Sequence, residues 1–219
     1  MQNMATTYYK RNILEYLHTL PREIPVTTDM VTAYMRKING EPEDKVRKAV
    51  NVNLARLESE GVLSRIMRGV YCKRVKTPFG DYVPGKDILY GRLLVLENDH
   101  VIGYETGLSL MNQLGLISQM PRRKVICSNR YNLTVPVGVD IDVRKPRESV
   151  THDNFKYLQI LDIINELDTA PVDAPNPEEI IRNKASRAGL LSDRLILYAR
   201  KLYSAKTLQR TVDIILGEL

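Results

Sequence analysis

The chain has 219 residues, 43% apolar and 26% charged, with two Cys, no Trp and a formal net charge of +6. That is the composition of an ordinary globular protein long enough for two small domains. Its apolar runs all fall short of the roughly 20 residues of a membrane span, and two isolated cysteines support neither a disulfide framework nor a zinc site.

The charge is unevenly placed. Residues 1–80 hold 14 Lys and Arg against 8 Asp and Glu, whereas residues 81–219 hold 18 against 18. A basic surface attracts a polyanion through counterion release, so a basic amino-terminal domain on a neutral remainder reads first as a nucleic-acid binder. The bland alternative is a solvated basic face.

The amino terminus, Met1-Gln2-Asn3-Met4, lacks the apolar centre of a secretory signal, so a cytoplasmic location is expected. From Tyr8 to Leu20, Ile13, Leu14, Leu17 and Leu20 recur at helical spacing until Pro21 ends the segment. Thr27 or Thr28 can cap a second helix with an apolar stripe of Met30, Val31, Tyr34 and Ile38, closed by Asn39-Gly40. Pro42, Glu43 and Asp44 suit the first turn of a third helix running to about Glu60.

On that third helix Val46, Val50, Leu54 and Leu57 share one face. Asp44, Lys48, Asn51, Val52 and Ala55 share the opposite one, flanked by Lys45, Arg47 and Arg56. Lys pairs with guanine and Asn with adenine in a major groove, and small Ala55 permits close approach. Leu63 to Ile66 and Val70 to Val75 then read as two strands bent at Met67-Arg68-Gly69. This is the order of parts of a winged helix-turn-helix, with Lys45, Arg47, Lys48 and Asn51 entering the groove. Arg65, Arg68, Lys73 and Lys76 are assigned to phosphate, which positions the protein without reading sequence.

Thr77-Pro78-Phe79-Gly80 and Pro84-Gly85 interrupt the pattern, which places the domain boundary at 80/81. Beyond it, Asp87 to Leu96 and Glu105 to Leu114 read as helices, and His100 to Tyr104 and Lys124 to Ser128 as strands. Val137 to Val143 alternates strictly, putting Val137, Val139, Ile141 and Val143 on one face and Asp140 and Asp142 on the other. After Pro146 the pattern is helical, with stripes at Phe155, Leu158, Leu161 and Ile164, at Ile180, Ile181 and Leu190, and at Leu195, Tyr198, Leu202 and Leu208 to Leu216. The Pro171, Pro175 and Pro177 stretch reads as a linker. The class expected is α+β: an amino-terminal winged helix-turn-helix, residues 1–80, then a mixed α/β domain, residues 81–219, with a helical carboxy-terminal part.

Two carboxylates on one strand face, Asp140 and Asp142, are of the type that holds magnesium and a triphosphate in nucleotidyltransferases. Gly103-Tyr104-Glu105 lacks the Gly-Ser or Gly-Gly step such a site uses, so a solvated strand is the preferred reading. His18, His100 and His152 have no ligand spacing, and the chain carries no nucleophile elbow, Walker loop or dinucleotide fingerprint. A non-enzyme without cofactor or metal is expected. Arg122, Arg123, Lys124 and Arg130 form a second basic cluster, read as a polar edge beside the strand at Val125.

The winged-helix pattern ending in Arg68-Gly69-Val70-Tyr71 is followed by Val101-Ile102-Gly103, Gly107-Leu108, Leu114-Gly115-Leu116, Pro121 and the strand Lys124 to Cys127. In that order and spacing, over residues 8–146, the chain resembles AbiEi-type antitoxins of bacterial type IV, abortive-infection toxin-antitoxin systems. It has Gly107 where Ala is the more usual residue, and both suit close packing. The resemblance implies a winged helix that represses its own operon by binding inverted repeats in promoter DNA. It also implies a second domain that counteracts a nucleotidyltransferase toxin without a stable complex. The alternative is a one-component winged-helix regulator whose carboxy-terminal domain senses a ligand.

Overall fold

A computed structural model describes residues 2–78, 80–97 and 100–217, with side chains from residue 8 onward. The chain is of mixed α+β class and forms two compact units, Met1–Arg92 and Leu93–Leu219. None of the described helices is long and apolar enough to cross a membrane.

In the first unit, α1 (Gln2–Thr19) is followed by β1 (Val26–Thr27), α2 (Thr28–Asn39), α3 (Glu43–Ser59), β2 (Leu63–Met67) and β3 (Val70–Lys73). Three strands pair antiparallel in the order β1-β3-β2. Ile13 and Leu17 of α1, Val31 and Met35 of α2, Val46, Val50, Leu54 and Leu57 of α3, and Leu63 and Tyr71 of the sheet form one buried cluster. The apolar face expected on α3 is thus the one that packs.

The α2 stripe differs from expectation. Thr28, Val31, Thr32 and Met35 are the buried positions, while Ile38 is exposed and Tyr34 stacks on Tyr16 with ring centroids 4.1 Å apart. Thr27 caps the helix, its hydroxyl accepting from Met30 N at 3.1 Å, and the small polar Thr28 and Thr32 share the inner face with Val31 and Met35, while Tyr34 packs against the edge of the same cluster.

The Pro/Gly interruption at 77–80 is not a domain boundary. β4 (Val75–Thr77) and β5 (Gly80–Tyr82) pair antiparallel across it, with Thr77 Oγ1 donating to the Gly80 carbonyl at 2.7 Å. Phe79 itself lies outside the described residues. The chain then enters α4 (Lys86–Val95), where Arg92 reaches Glu23 at 3.1 Å. The division therefore falls at Arg92/Leu93, later than the expected 80/81, because a proline-glycine turn closes a hairpin as readily as it opens a linker.

In the second unit a two-stranded hairpin, β6 (Leu96–Glu97) and β7 (His100–Val101), precedes a three-stranded sheet. β8 (Gly103–Thr106) and β9 (Lys124–Ser128) are antiparallel, and β10 (Ile141–Arg144) lies parallel to β9. The short α5 (Gly107–Gln113) follows β8, and α6 (Phe155–Glu166), α7 (Pro177–Arg187), α8 (Ser192–Leu202) and α9 (Ala205–Leu216) complete the unit. Met111, Leu116, Leu161, Ile163, Ile181 and Ala199 are among the side chains of its main core.

Two expectations are corrected here. The alternating run Val137 to Val143 is a strand only from Ile141. Val137 is fully exposed, and Val139 N closes a turn on the Pro136 carbonyl at 3.2 Å. β9 begins at Lys124, opposite Ile141, so the alternating residues before Ile141 have no partner strand. Pro177 is not linker but the first residue of α7, where a missing N–H costs nothing.

Candidate nucleic-acid interface

The exposed face of α3 carries Asp44, Lys48, Asn51, Val52 and Ala55. Its opposite face is locked into the core by Val46, Val50, Leu54 and Leu57, each with no exposed surface. Burial of four large apolar side chains therefore fixes which way Lys48 and Asn51 point.

The β2–β3 turn lies beside this face. Gly69 adopts a φ of 75°, a left-handed conformation that a side chain would strain. Its carbonyl accepts from Thr28 N at 2.9 Å, while Thr28 Oγ1 donates to Asn51 Oδ1 at 3.4 Å. A single buried threonine thus joins the turn that carries Arg68 to the residue on α3 best suited to read adenine. A register shift between Arg65 and Met67 bends β2 just before that turn.

The nine expected contact residues do not behave alike. Lys48, Arg56, Arg65, Arg68 and Lys76 are exposed and form no ion pair among the described residues. Lys45 is paired with Glu41 at 2.7 Å. That contact and the Tyr9 hydroxyl, donating at 2.7 Å, hold the Glu41 carboxyl below its ordinary pKa. Arg47 pairs with Asp29 and lies 3.9 Å from Glu43, which also takes Arg36 at 2.7 Å. Such exposed pairs are worth little, so phosphate can compete for these cations.

Lys73 is directed to the end of α1. Its ammonium donates to the Leu17 carbonyl at 2.9 Å and to the Leu20 carbonyl, closing the carboxy-terminal end of α1. Burial, and to a lesser degree the Arg22 charge, lowers its pKa. The strand alternation that placed Lys73 with the other wing basics could not show that the end of α1 lies under it.

Two expected outcomes separate these roles. Arg68→Ala should reduce the slope of log affinity for duplex DNA against log salt by about 1. Lys73→Met should leave that slope unchanged and lower the stability of the first unit by about 1–3 kcal/mol, since two hydrogen bonds to a charged donor are lost. Urea unfolding and salt-titrated fluorescence anisotropy measure both; a lowered slope for Lys73→Met would return it to the interface.

No family model matches the chain, and no curated protein matches it.

The other sequence features pair with one another. Arg122 lies 3.7 Å from Asp140 and Arg123 lies 2.9 Å from Asp142. Lys124 is 3.9 Å from Glu105, and Arg130 pairs with Glu97. The suspected carboxylates thus face Arg122 and Arg123, half of the second basic cluster, because β10 runs parallel to β9 in this register. Among the described residues no group of three or more His, Cys, Asp or Glu is arranged to hold a metal ion.

Thr28 was not legible as a functional residue. A threonine at a helix start reads as a cap, and nothing local shows that Gly69 and Asn51 meet it. Both cysteines are free and buried, and burial pushes the Cys127 thiol up to about 12, so it is not a nucleophile at neutral pH.

Proposed function

We propose that the first unit is a winged helix-turn-helix that binds duplex DNA, with α3 in the major groove and the β2–β3 turn against the phosphate backbone. The observation that carries this reading is the Gly69–Thr28–Asn51 connection, which ties the turn that carries Arg68 to the exposed face of α3 that carries Lys48 and Asn51. The confinement of the net positive charge to this part of the chain supports it. Exposed Val52 on the same face offers apolar contact to a thymine methyl group.

The resemblance of residues 8–146 to AbiEi-type antitoxins extends the proposal. The chain is read as an antitoxin that represses its own operon through the first unit and counteracts a nucleotidyltransferase toxin through the second. The proposed location is the cytoplasm, where both partners would be met.

Lys48→Ala or Asn51→Ala in the full chain should each cost about 1–3 kcal/mol on the promoter site. Affinity for unrelated DNA should change less. Fluorescence anisotropy with both duplexes decides it, and unchanged promoter affinity in both variants would rule out this face. Co-expression with the neighbouring gene, which on this reading encodes a nucleotidyltransferase toxin, tests the second half. Growth should be rescued by the full chain and equally by the Lys48→Ala/Asn51→Ala chain, whereas no rescue by either would overturn the antitoxin reading.

A further inference from the structure

A groove of about 620 Å³ opens in the second unit between the end of α5, the start of α6 and one face of α7. That volume lies within the range of small-ligand sites. Three cations line it and no carboxylate does: Lys156 on α6, and Lys184 and Arg187 on α7. Lys184 and Arg187 are three residues apart, so they stand about 4.5 Å apart along the helix axis on the same face.

None of the three forms an ion pair among the described residues. Glu178 on α7 and Glu105 beside Gln113 are engaged elsewhere. Glu178 lies 3.6 Å from Arg210, and Glu105 accepts from the Gln113 amide at 2.8 Å with Lys124 3.9 Å away. Arg122, Arg123, Arg130, Arg144, Lys201 and Arg210 of the same unit each have a carboxylate partner, whereas these three cations converge on one groove whose lining holds no acid. They would repel one another unless an anion joined them.

The rest of the lining is apolar or amide. Phe155, Ile160 and Ile180 supply a wall, with the Lys156 ammonium 5.8 Å from the Phe155 ring centroid. Gln113 and Gln159 spend their amide N–H groups on Glu105, each at 2.8 Å, which leaves each amide oxygen as an acceptor suited to an exocyclic amino group. Asn183 lies between Ile180 and Lys184 on the same lining.

We propose that this groove binds a nucleoside phosphate. The phosphoryl oxygens meet Lys156, Lys184 and Arg187, the ribose and base lie against the Phe155–Ile160–Ile180 wall, and a base amino group donates to the glutamine oxygens. Arg187 supplies the planar fork that takes two phosphate oxygens at once, and the lysines act as point charges. The site is independent of the DNA-binding face of the first unit.

Binding of a fluorescent ATP analogue to the full chain, with ATP, adenosine, inorganic phosphate and a short single-stranded RNA as competitors, tests it. ATP should displace the analogue, and adenosine and phosphate should each do so about tenfold less well or worse. Lys184→Ala/Arg187→Ala should weaken binding about tenfold or more at unchanged melting temperature, since both side chains are exposed. Lys156→Gln should weaken it in the same direction, and Lys48→Ala/Arg68→Ala should not. Absence of saturable binding below about 1 mM would overturn the proposal. So would weakening by the Lys48→Ala/Arg68→Ala pair alone, or RNA binding more tightly than ATP through the same three cations, which would make the groove an RNA surface.

Discussion

Replacing Asp162 with leucine is expected to cost the second unit about 3–5 kcal/mol, the penalty for breaking a buried charged network by removing one member. The carboxylate is almost fully buried on α6. It accepts from the Tyr203 hydroxyl at 2.6 Å, from the Tyr104 hydroxyl at 2.8 Å and from the Cys127 thiol at 3.7 Å. Arg147 lies 3.8 Å from it and 4.4 Å from the Tyr203 ring centroid. Leucine would leave the buried Tyr104 hydroxyl without an acceptor and the Tyr203 hydroxyl with only the Leu158 carbonyl at 3.4 Å. Urea unfolding followed by far-UV circular dichroism measures the loss; a change below about 1 kcal/mol would mean that water or rearrangement satisfies both tyrosines.

The same group sets a pH dependence. Burial raises the Asp162 pKa above the ordinary 3.8, against the opposing pull of its hydrogen bonds to Tyr203 and Tyr104 and the Arg147 charge. The folded chain then holds a proton on Asp162 that the unfolded chain has released, so its contribution to stability is full below 3.8 and falls as pH rises through the elevated folded value. Asp162→Asn keeps an acceptor for the tyrosines and removes the titration. Its stability relative to the parent should improve with pH across that window, and a parallel pair of stability curves would exclude Asp162 as the titrating group.

Gly103→Ala is expected to cost more than about 3 kcal/mol, beyond the usual range for overpacking, because the obstacles are backbone. A methyl group at Gly103 would press into the Leu94 carbonyl oxygen and stand 2.7 Å from the Cys127 carbonyl oxygen. Neither can retreat freely. Ser128 Oγ holds the Leu94 carbonyl at 2.5 Å, Ile102 N bonds the Val95 carbonyl at 2.8 Å, and Cys127 lies in the ladder that joins β9 to both its neighbours. Gly85→Ala is the control, since nothing lies within 4 Å of the added carbon and a change within about 0.5 kcal/mol is expected. Equal soluble yield and urea midpoint for the two variants would show that β8 shifts to make room.

Gly103 also shows how a residue can be noticed in sequence and understood only in the fold. As part of Gly103-Tyr104-Glu105 it follows a strand but lacks the glycine step of a phosphate loop. Its requirement comes instead from two carbonyl oxygens, one nine residues earlier and one on a strand that begins far along the chain, and no local pattern encodes either. Asp162 lies in the same class. It occupies a helix whose Leu158, Leu161 and Ile164 follow the expected stripe and are buried, yet an aspartate among them reads as a surface break until Tyr104 and Tyr203 are brought to it.

Where physical signals are local, the chain states them itself. The face of α3, the caps at Thr27 and Gly40, the turn at Gly69 and the confinement of excess charge to the first 80 residues follow from side-chain period, backbone permissiveness and counting. These depend on neighbours a few positions away. Tertiary structure alone decided which cations are free. Lys73 is spent on the end of α1, Lys45 and Arg47 are paired, Arg122 and Arg123 are matched to Asp140 and Asp142, and Lys156, Lys184 and Arg187 share a groove with no ion-pair partner among the described residues. Whether a charge finds a partner depends on distances of a few ångströms between segments remote in sequence, and periodicity carries no information about those.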